Sequence, residues 1–527
     1  MAQRRHNFIS GAAVLALAVA VTKVLGALYK IPLGNLLDKE GMAHFYAAYN
    51  IYNLLLVLST AGLPLALSRL VSRAAAQGRR NAQRRIFRTA LALLAVIGLV
   101  CSAVMCLFPQ VLSGLLHDSL AAPAIRVLGP AVLFVCLTSA IRGYTQGLGD
   151  MTPTAVSQMT ESAGKMVIGL ALCLVLLHRG ADSSLCAAGA IAGVTAGSLL
   201  SLTVLTVFLL RRRDRAAVDV PPARSAVLRE LLTAGIPITL GAAGMSLITL
   251  LDQALVMSTL QNTLGYTEAA ATALYGEYTF GMTLFALPPS FIYPVTVSLV
   301  PDISAALARG DRPAAGRSAA AALKLTTLIA LPTGAGLSVL AGPILRLLYP
   351  AVPDTAAAAA YHLTILGIAC IFVCLMVATN GVLQAYGKEY IPVVTLLCGG
   401  ILKIITNYLM VGDPATNVRG APVSTLYCYG LIVVLNLIAI ARCVPERPSY
   451  LRLFARPVLI TAVMALAARS SYGLLARSLP ERWAVLPAIA VAVVVYGVLV
   501  LALGAVTRQD VLDLPKGEKI ARMLHLH

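Results

Sequence analysis

Apolar runs long enough to cross about 30 Å of hydrocarbon recur along this sequence with only short polar stretches between them, and that pattern leaves few folds open. Fourteen such spans are predicted, the first over Phe8–Leu28, the eighth over Tyr278–Val300 and the last over Trp483–Val506. Inside a bilayer every backbone N–H and C=O must find its partner within the protein, so uninterrupted runs of this length form helices. An outer-membrane barrel would alternate apolar and polar residues, and it is excluded. A soluble enzyme and a disordered chain are excluded by composition. Only 12% of the 527 residues are charged, 59% are hydrophobic and the mean hydropathy is +0.84, whereas soluble domains carry about a quarter charged residues. The expected fold class is an all-α polytopic membrane protein.

Forty-one Lys and Arg against 22 Asp and Glu give a net charge of +19. The basic residues cluster between spans, as in Arg69, Arg73, Arg79, Arg80, Arg84, Arg85 and Arg88, or Arg211, Arg212, Arg213, Arg215, Arg224 and Arg229. By the positive-inside rule these are cytoplasmic loops, which puts both termini in the cytoplasm and the chain in the cytoplasmic membrane. No aromatic residues interleave with the arginines as stacking platforms for bases, so nucleic acid is not an expected partner. Ala16-Leu17-Ala18 resembles a signal-peptide cleavage site, but the apolar run around it is long for one. The ten cysteines are scattered without a CxxC and read as buried free thiols.

An internal repeat is legible. Gly143-Tyr-Thr-Gln146-Gly147, then Pro153, then Lys165 is echoed by Gly381-Val-Leu-Gln384-Ala385, then Pro392, then Lys403, and in both the lysine follows the glutamine by 19 residues. Pro64, Ser68 and Gly78 are echoed by Pro294, Ser298 and Gly310. The organisation expected is an N-terminal lobe of six spans over 1–213, a basic linker over 214–230 and a second six-span lobe over 231–442. Two further spans follow over 443–506, with a tail over 507–527. An even number of spans per repeat gives two pseudo-symmetric lobes of the same orientation, which is transporter architecture with the substrate between them.

A charged side chain at mid-bilayer costs about 2.5 to 3.5 kcal/mol on insertion scales, so each one retained there needs a partner, a watery cavity or a ligand. Lys23 and Lys30 lie seven apart and share a face of span one. Arg142 and Gln146 are four apart in span four, and Glu161 and Lys165 four apart in span five. Two readings of Lys165 stand: it lines a polar cavity, or it pairs with Glu161 along the helix. Tyr46, Asn50 and Asn53 share a face of span two. In the second lobe Asn380 and Gln384, and Lys403 and Asn407, repeat the four-residue spacing, and Lys403 either neutralises Asp252 or serves coupling. Gly189, Gly193 and Gly197 read as a helix-packing stripe. Basic residues within spans outnumber the carboxylates Glu161, Asp252 and Glu277, so an anion such as phosphate or pyrophosphate fits the interior better than a cationic drug.

Thr22-Lys23-Val24-Leu25-Gly26, Arg142-Gly143-Tyr144-Thr145-Gln146-Gly147 with Met151-Thr152-Pro153-Thr154 and Ser157-Gln158, and Gly381-Val382-Leu383-Gln384 resemble the polysaccharide-transport branch of the multidrug/oligosaccharidyl-lipid/polysaccharide (MOP) flippase superfamily. Within it the chain is most similar to the stage V sporulation protein B group of Gram-positive bacteria, which includes lipid II flippases of the MurJ type. The resemblance implies two six-helix lobes around a cationic cavity that takes the pyrophosphate and sugar of an undecaprenyl-linked precursor, such as lipid II, across the bacterial cytoplasmic membrane. It places Lys23 and Lys30 where those flippases have basic residues in span one. The chain departs from them in span two, where Asn53-Leu54-Leu55 continues with Leu56-Val57 and not with an arginine. Asp252 with Asn407 matches part of a sodium site of some relatives, although Lys403 lies one turn away.

The candidate substrate-binding residues are therefore Lys23, Lys30, Asn53, Arg142, Gln146, Glu161 and Lys165, and the candidate coupling residues are Asp252, Lys403, Asn407 and Gln384. No Walker A motif, cofactor motif or metal motif is present. Membrane potential, a proton gradient or a sodium gradient then supplies the energy. The expected partners are the lipid-linked saccharide and membrane lipids, with the protein acting as a monomer. Two other functions are weighed: a cation-coupled multidrug exporter depending on Asp252 or Glu277, and a membrane glycosyltransferase, for which the outer loops hold only isolated acids such as Asp118, Asp182 and Glu268.

Overall fold

The computed structural model describes residues 18, 21–22, 25–26, 28–211, 219–444 and 449–505, with side chains except at 240–241, 293–302 and 452. Lys23 and the basic tail beyond 505 lie outside the described residues. Regular structure among the described residues is helical throughout, with no strand. Residues 28–36 form α1. It is followed by α2 (Lys39–Thr60), α3 (Leu63–Ala76), α4 (Arg80–Leu107), α5 (Pro109–Leu115), α6 (Ala122–Gly147), α7 (Thr152–His178), α8 (Ser183–Arg211) and α9 (Arg224–Ser258). Next come α10 (Glu268–Phe285), α11 (Leu287–Ala308), α12 (Arg312–Val339), α13 (Ala341–Leu348), α14 (Pro353–Ala385) and α15 (Tyr390–Val411). The last three are α16 (Gly420–Cys443), α17 (Tyr450–Leu475) and α18 (Glu481–Ala502).

Twelve helical stretches among the described residues are long and apolar enough to cross a membrane, and they coincide with twelve of the fourteen predicted spans. Phe8–Leu28 falls largely outside the described residues. Tyr278–Val300 is divided between α10 and α11, which break at Ala286. Pro288 and Pro289 lack the amides that would bond back into α10, so a new helix begins there. The large apolar side chains left exposed, among them Leu107, Leu466, Val493 and Val494, make a surface suited to lipid and not to water. The ten cysteines form no disulfide; Cys136 and Cys173 are buried, whereas Cys398 is exposed.

Contacts gather the chain into two compact units, Met1–Thr279 with Asn407–Val418, and Phe280–Thr406 with Arg419–His527. In the first, α7 and α8 approach so closely that a Cβ at Gly193 would strike the backbone of Gly169, and one at Gly197 would lie 2.5 Å from the carbonyl oxygen of Glu161. The small-residue stripe is thus a packing surface. Gly143 and Gly147 bring α6 onto α3 in the same way, at 2.8 and 2.7 Å from the carbonyl oxygens of Pro64 and Ser68. Helix α9 belongs with this unit because the Thr239 hydroxyl accepts from the Gly62 amide at 3.1 Å.

In the second unit Ile303, Ala306, Leu323, Val382 and Ile440 join α11, α12, α14 and α16 in one buried cluster. Helices α17 and α18 pack on α12 and α13 through Leu340, Met464, Ala468 and Val485. The repeat is visible within each unit by itself. Gly149 and Gly387, 238 residues apart, both follow their helix in the left-handed conformation at φ +84° and +70°. Gly78 and Gly310 do the same at +70° and +76°. A Cβ would be strained at all four.

Candidate functional site

The polar face of α2 is the floor of the site. Tyr46, Tyr49, Asn50 and Asn53 recur at helical spacing, and helices α1 and α7 bring lysines to it. Lys30 Nζ donates to Tyr46 Oη at 3.0 Å, and it stands 4.5 Å from the centre of that ring and 5.6 Å from the centre of Tyr49. Lys165 Nζ lies 4.7 Å from the ring centre of Tyr49 and 5.1 Å from that of Tyr29. Two ammonium groups from different helices therefore share one aromatic ring. Cation–π contacts of about 0.5 to 2 kcal/mol hold them without neutralising them. Both lysines are half-buried, and no carboxylate lies within ion-pair distance of either among the described residues. Tyr29 is fixed by donating to the Ala190 carbonyl at 2.8 Å.

Glu161 pairs with Arg142, not with Lys165. Arg142 Nη2 is 2.8 Å from Glu161 Oε2 and 2.9 Å from Ser201 Oγ, and Arg142 Nε donates to Ser157 Oγ at 2.9 Å. The i, i+4 spacing on α7 permits a Lys165–Glu161 pair, but the guanidinium of the neighbouring helix offers several directed donors at once, and a Lys ammonium cannot match them. Arg142 is consumed by this network, so the unneutralised charge of the site belongs to Lys30 and Lys165.

The other predicted residues fall apart from this pair. Gln146 donates to Thr154 Oγ1 at 3.2 Å near the end of α6. Asn53 donates to Ser246 Oγ at 3.1 Å and Asn50 to Gln253 Oε1 at 2.7 Å, tying α2 to α9. Asn407 donates to Asp252 Oδ1 at 2.6 Å, with both residues buried. Glu277 pairs with Lys39 at 3.0 Å. Lys403, in the second unit, is buried, and Gln384 is exposed. Tyr29, Tyr49 and Ser201 escaped the sequence reading; Ser157 stood there only within the resemblance motif, although it lies one turn before Glu161 on the same face of α7.

The second unit repeats this polar knot without its charges. Asn436 Nδ2 donates to Thr379 Oγ1 at 3.0 Å and to Asn380 Oδ1 at 2.8 Å, while Thr395 Oγ1 donates to Asn436 Oδ1 at 2.8 Å. Asn380 and Thr395 stand 238 residues after Arg142 and Ser157, the same offset that relates Lys165 to Lys403.

Comparison with known proteins bears on this arrangement. The sequence profile of a family described as polysaccharide biosynthesis protein matches residues 8–307, and that of the MatE family matches residues 237–409. The chain is 27% identical over 533 residues to the uncharacterized membrane protein YabM of Bacillus subtilis (strain 168), covering 99% of this chain and 97% of that one. It is 24% identical to stage V sporulation protein B of the same organism, covering 84% and 85% of the two chains. It is also 24% identical to the lipid II flippase MurJ of that organism, covering 88% of each. Among solved structures, lipid II flippase MurJ in an inward closed conformation superposes with a TM-score of 0.71 at 15% identity over 93% of this chain and 98% of that one. An inward-facing MATE family transporter of the MOP superfamily superposes with 0.64 at 16% identity over 84% and 98%. The fold is that of these transporters.

Proposed function

Because the chain belongs to the polysaccharide biosynthesis protein family, whose profile covers more than half of it, and has the fold of MOP superfamily transporters, we propose that it flips an undecaprenyl-pyrophosphate-linked wall precursor, lipid II, across the bacterial cytoplasmic membrane. The observation that carries this reading is the pair of ammonium groups, Lys30 and Lys165, held on one aromatic ring with no carboxylate within ion-pair distance among the described residues. Two fixed cations inside a membrane protein suit a pyrophosphate. They offset its desolvation, while the polyprenyl tail remains in lipid. Lys23, by the family resemblance, adds a third cation on the face of Lys30. Alternating access, with both termini cytoplasmic and the protein working as a monomer, completes the mechanism; membrane potential, protons or sodium drive it.

A strain depleted of its own lipid II flippase tests this. The unmodified protein restores outer-leaflet lipid II, Lys165→Arg keeps most of that activity, and Lys30→Ala or Lys165→Ala lowers it at least about tenfold, as loss of a charge-assisted contact of roughly 1.5 kcal/mol requires. Undiminished transport by both alanine variants at equal expression would remove the cationic pair from the mechanism, and failure of the unmodified protein to rescue would point to another cargo. A second reading, cation-coupled drug export, is favoured by the MatE match over residues 237–409, which includes Asp252 and Asn407. It predicts drug resistance that is lost in Asp252→Asn.

A further inference from the structure

A second charged centre lies in the first unit, away from the lysines, at the head of the 38-residue stretch Lys39–Ala76. His44, one turn into α2, has Nδ1 2.7 Å from Asp118 Oδ1, and the two residues are 2% and 1% exposed. The second carboxylate oxygen of Asp118 is buried and has no hydrogen-bond partner among the described residues. With a neutral imidazole this site holds a buried carboxylate whose described hydrogen bond, at Oδ1, offsets only part of its desolvation. One proton converts it to a neutral ion pair. Other charged groups stand on the elements around it. Glu40 lies one turn before His44, Asp38 and Asp182 stand at the heads of α2 and α8, and α10 contributes Glu268 and Glu277, the latter committed to Lys39. Tyr275 of α10 is within electrostatic reach of Asp118 and of Asp252 of α9.

Asp118 sits in the turn between α5 and α6, and that turn is a junction. Gln261 Nε2 donates to the His117 carbonyl at 2.7 Å, the backbone amide and hydroxyl of Ser119 both donate to Glu268 Oε1 at 2.5 and 2.6 Å, and Ser184 Oγ donates to the Leu120 carbonyl at 2.6 Å. His117 is held at φ +52°, a left-handed conformation that a bulky residue keeps only where its surroundings impose it. Four short contacts and one left-handed residue thus lie within two residues of Asp118.

We propose that His44 and Asp118 form a proton-binding site, and that the bound proton keeps the 116–121 turn locked onto α2, α8, α10 and the segment around Gln261. The sign follows from the charges: the lock is closed at low pH, when the pair is neutral, and is released as the proton leaves. This assignment is independent of the cargo.

Backbone hydrogen exchange of the full-length protein in nanodiscs tests it, followed over peptides covering residues 112–121 between about pH 5 and pH 8, and corrected for intrinsic exchange. Exchange in the turn is expected to rise about tenfold with pH, corresponding to roughly 1.4 kcal/mol, while peptides from α6 to α8 stay constant. Asp118→Asn removes the buried charge and leaves the turn protected at both pH values. His44→Gln keeps the charge beside a group that cannot titrate and leaves the turn exchanging rapidly at both. Glu268→Gln retains the pH response. A wild-type turn indifferent to pH overturns the proposal, as does a response that survives Asp118→Asn or disappears in Glu268→Gln. If His44→Gln fails to fold, the wild-type and Asp118→Asn arms still decide.

Discussion

Arg142 shows how one side chain sets the character of the site. Its guanidinium spans Glu161, Ser157 and Ser201, so it binds three helices together and leaves Lys165 without a carboxylate. Arg142→Ala strands Glu161 beside two serines, and leaving a partly buried charged group without its partner costs about 1 to 3 kcal/mol. Thermal melting in detergent should show that loss, and Arg142→Ala combined with Glu161→Ala should recover part of it. If Glu161 served instead to neutralise Lys165, the single Arg142→Ala change would be close to neutral. Sequence spacing could not distinguish these cases. An i, i+4 relation states which groups can meet along one helix, and it is silent about a better donor arriving from the next one.

At the scale of elements, two contacts make checkable claims. Helices α7 and α8 touch through glycine, and a Cβ at Gly197 would press on the Glu161 carbonyl, which cannot move without its helix. Gly197→Ala should therefore destabilise the protein by about 1 to 3 kcal/mol, and Gly197→Leu should also weaken transport by displacing Glu161 and Lys165. The stretch before α9 is anchored differently. Asp219 accepts from the backbone amides of Asn81 and Ala82 at 2.8 and 3.0 Å and so caps the start of α4, while Arg79 donates to the Val220 carbonyl at 3.2 Å. Desolvation raises the Asp219 carboxyl, but the amides of Asn81 and Ala82 together with Arg79 outweigh it and hold the group below the usual carboxylate range. A lowered carboxyl stabilises above its unfolded value and loses that contribution as pH falls through the folded one. The contact should persist at neutral pH and be lost below about pH 4. Asp219→Asn should release it at neutral pH, seen as faster proteolysis at residues 219–223.

For the whole molecule the repeat is the organising fact, and each unit carries its own version of the same polar knot. Arg142 and Ser157 in one correspond to Asn380 and Thr395 in the other, and the third member is Ser201 in the first and Asn436 in the second. Asn436→Ala leaves buried polar partners unsatisfied and should cost about 1 to 3 kcal/mol. Because the two knots share no partner and lie in different compact units, Arg142→Ala and Asn436→Ala should add to within about 0.5 kcal/mol, measured as the double variant against the two singles. A large departure from additivity would mean that the halves unfold as one knot. Among the described residues, the ion-paired charges of the knot belong to the first unit.

Span positions, the repeat and the basic residues of the interior were legible in the sequence because each depends on local pattern: a run of apolar residues, a fixed offset, a charge where hydrocarbon should be. Twelve of fourteen predicted spans reappear as apolar helices, and the landmark glycines at 78 and 310 end their helices alike. Which charge neutralises which was decided only by tertiary structure. His44 and Asp118 are 74 residues apart, and nothing along the chain couples them. The lysines gain their shared aromatic ring only when α1, α2 and α7 meet. Short-range pattern governs whether a segment enters the bilayer, since that is a transfer between solvents; partnership between buried charges is a competition among directions and distances, and these exist only once the helices have packed.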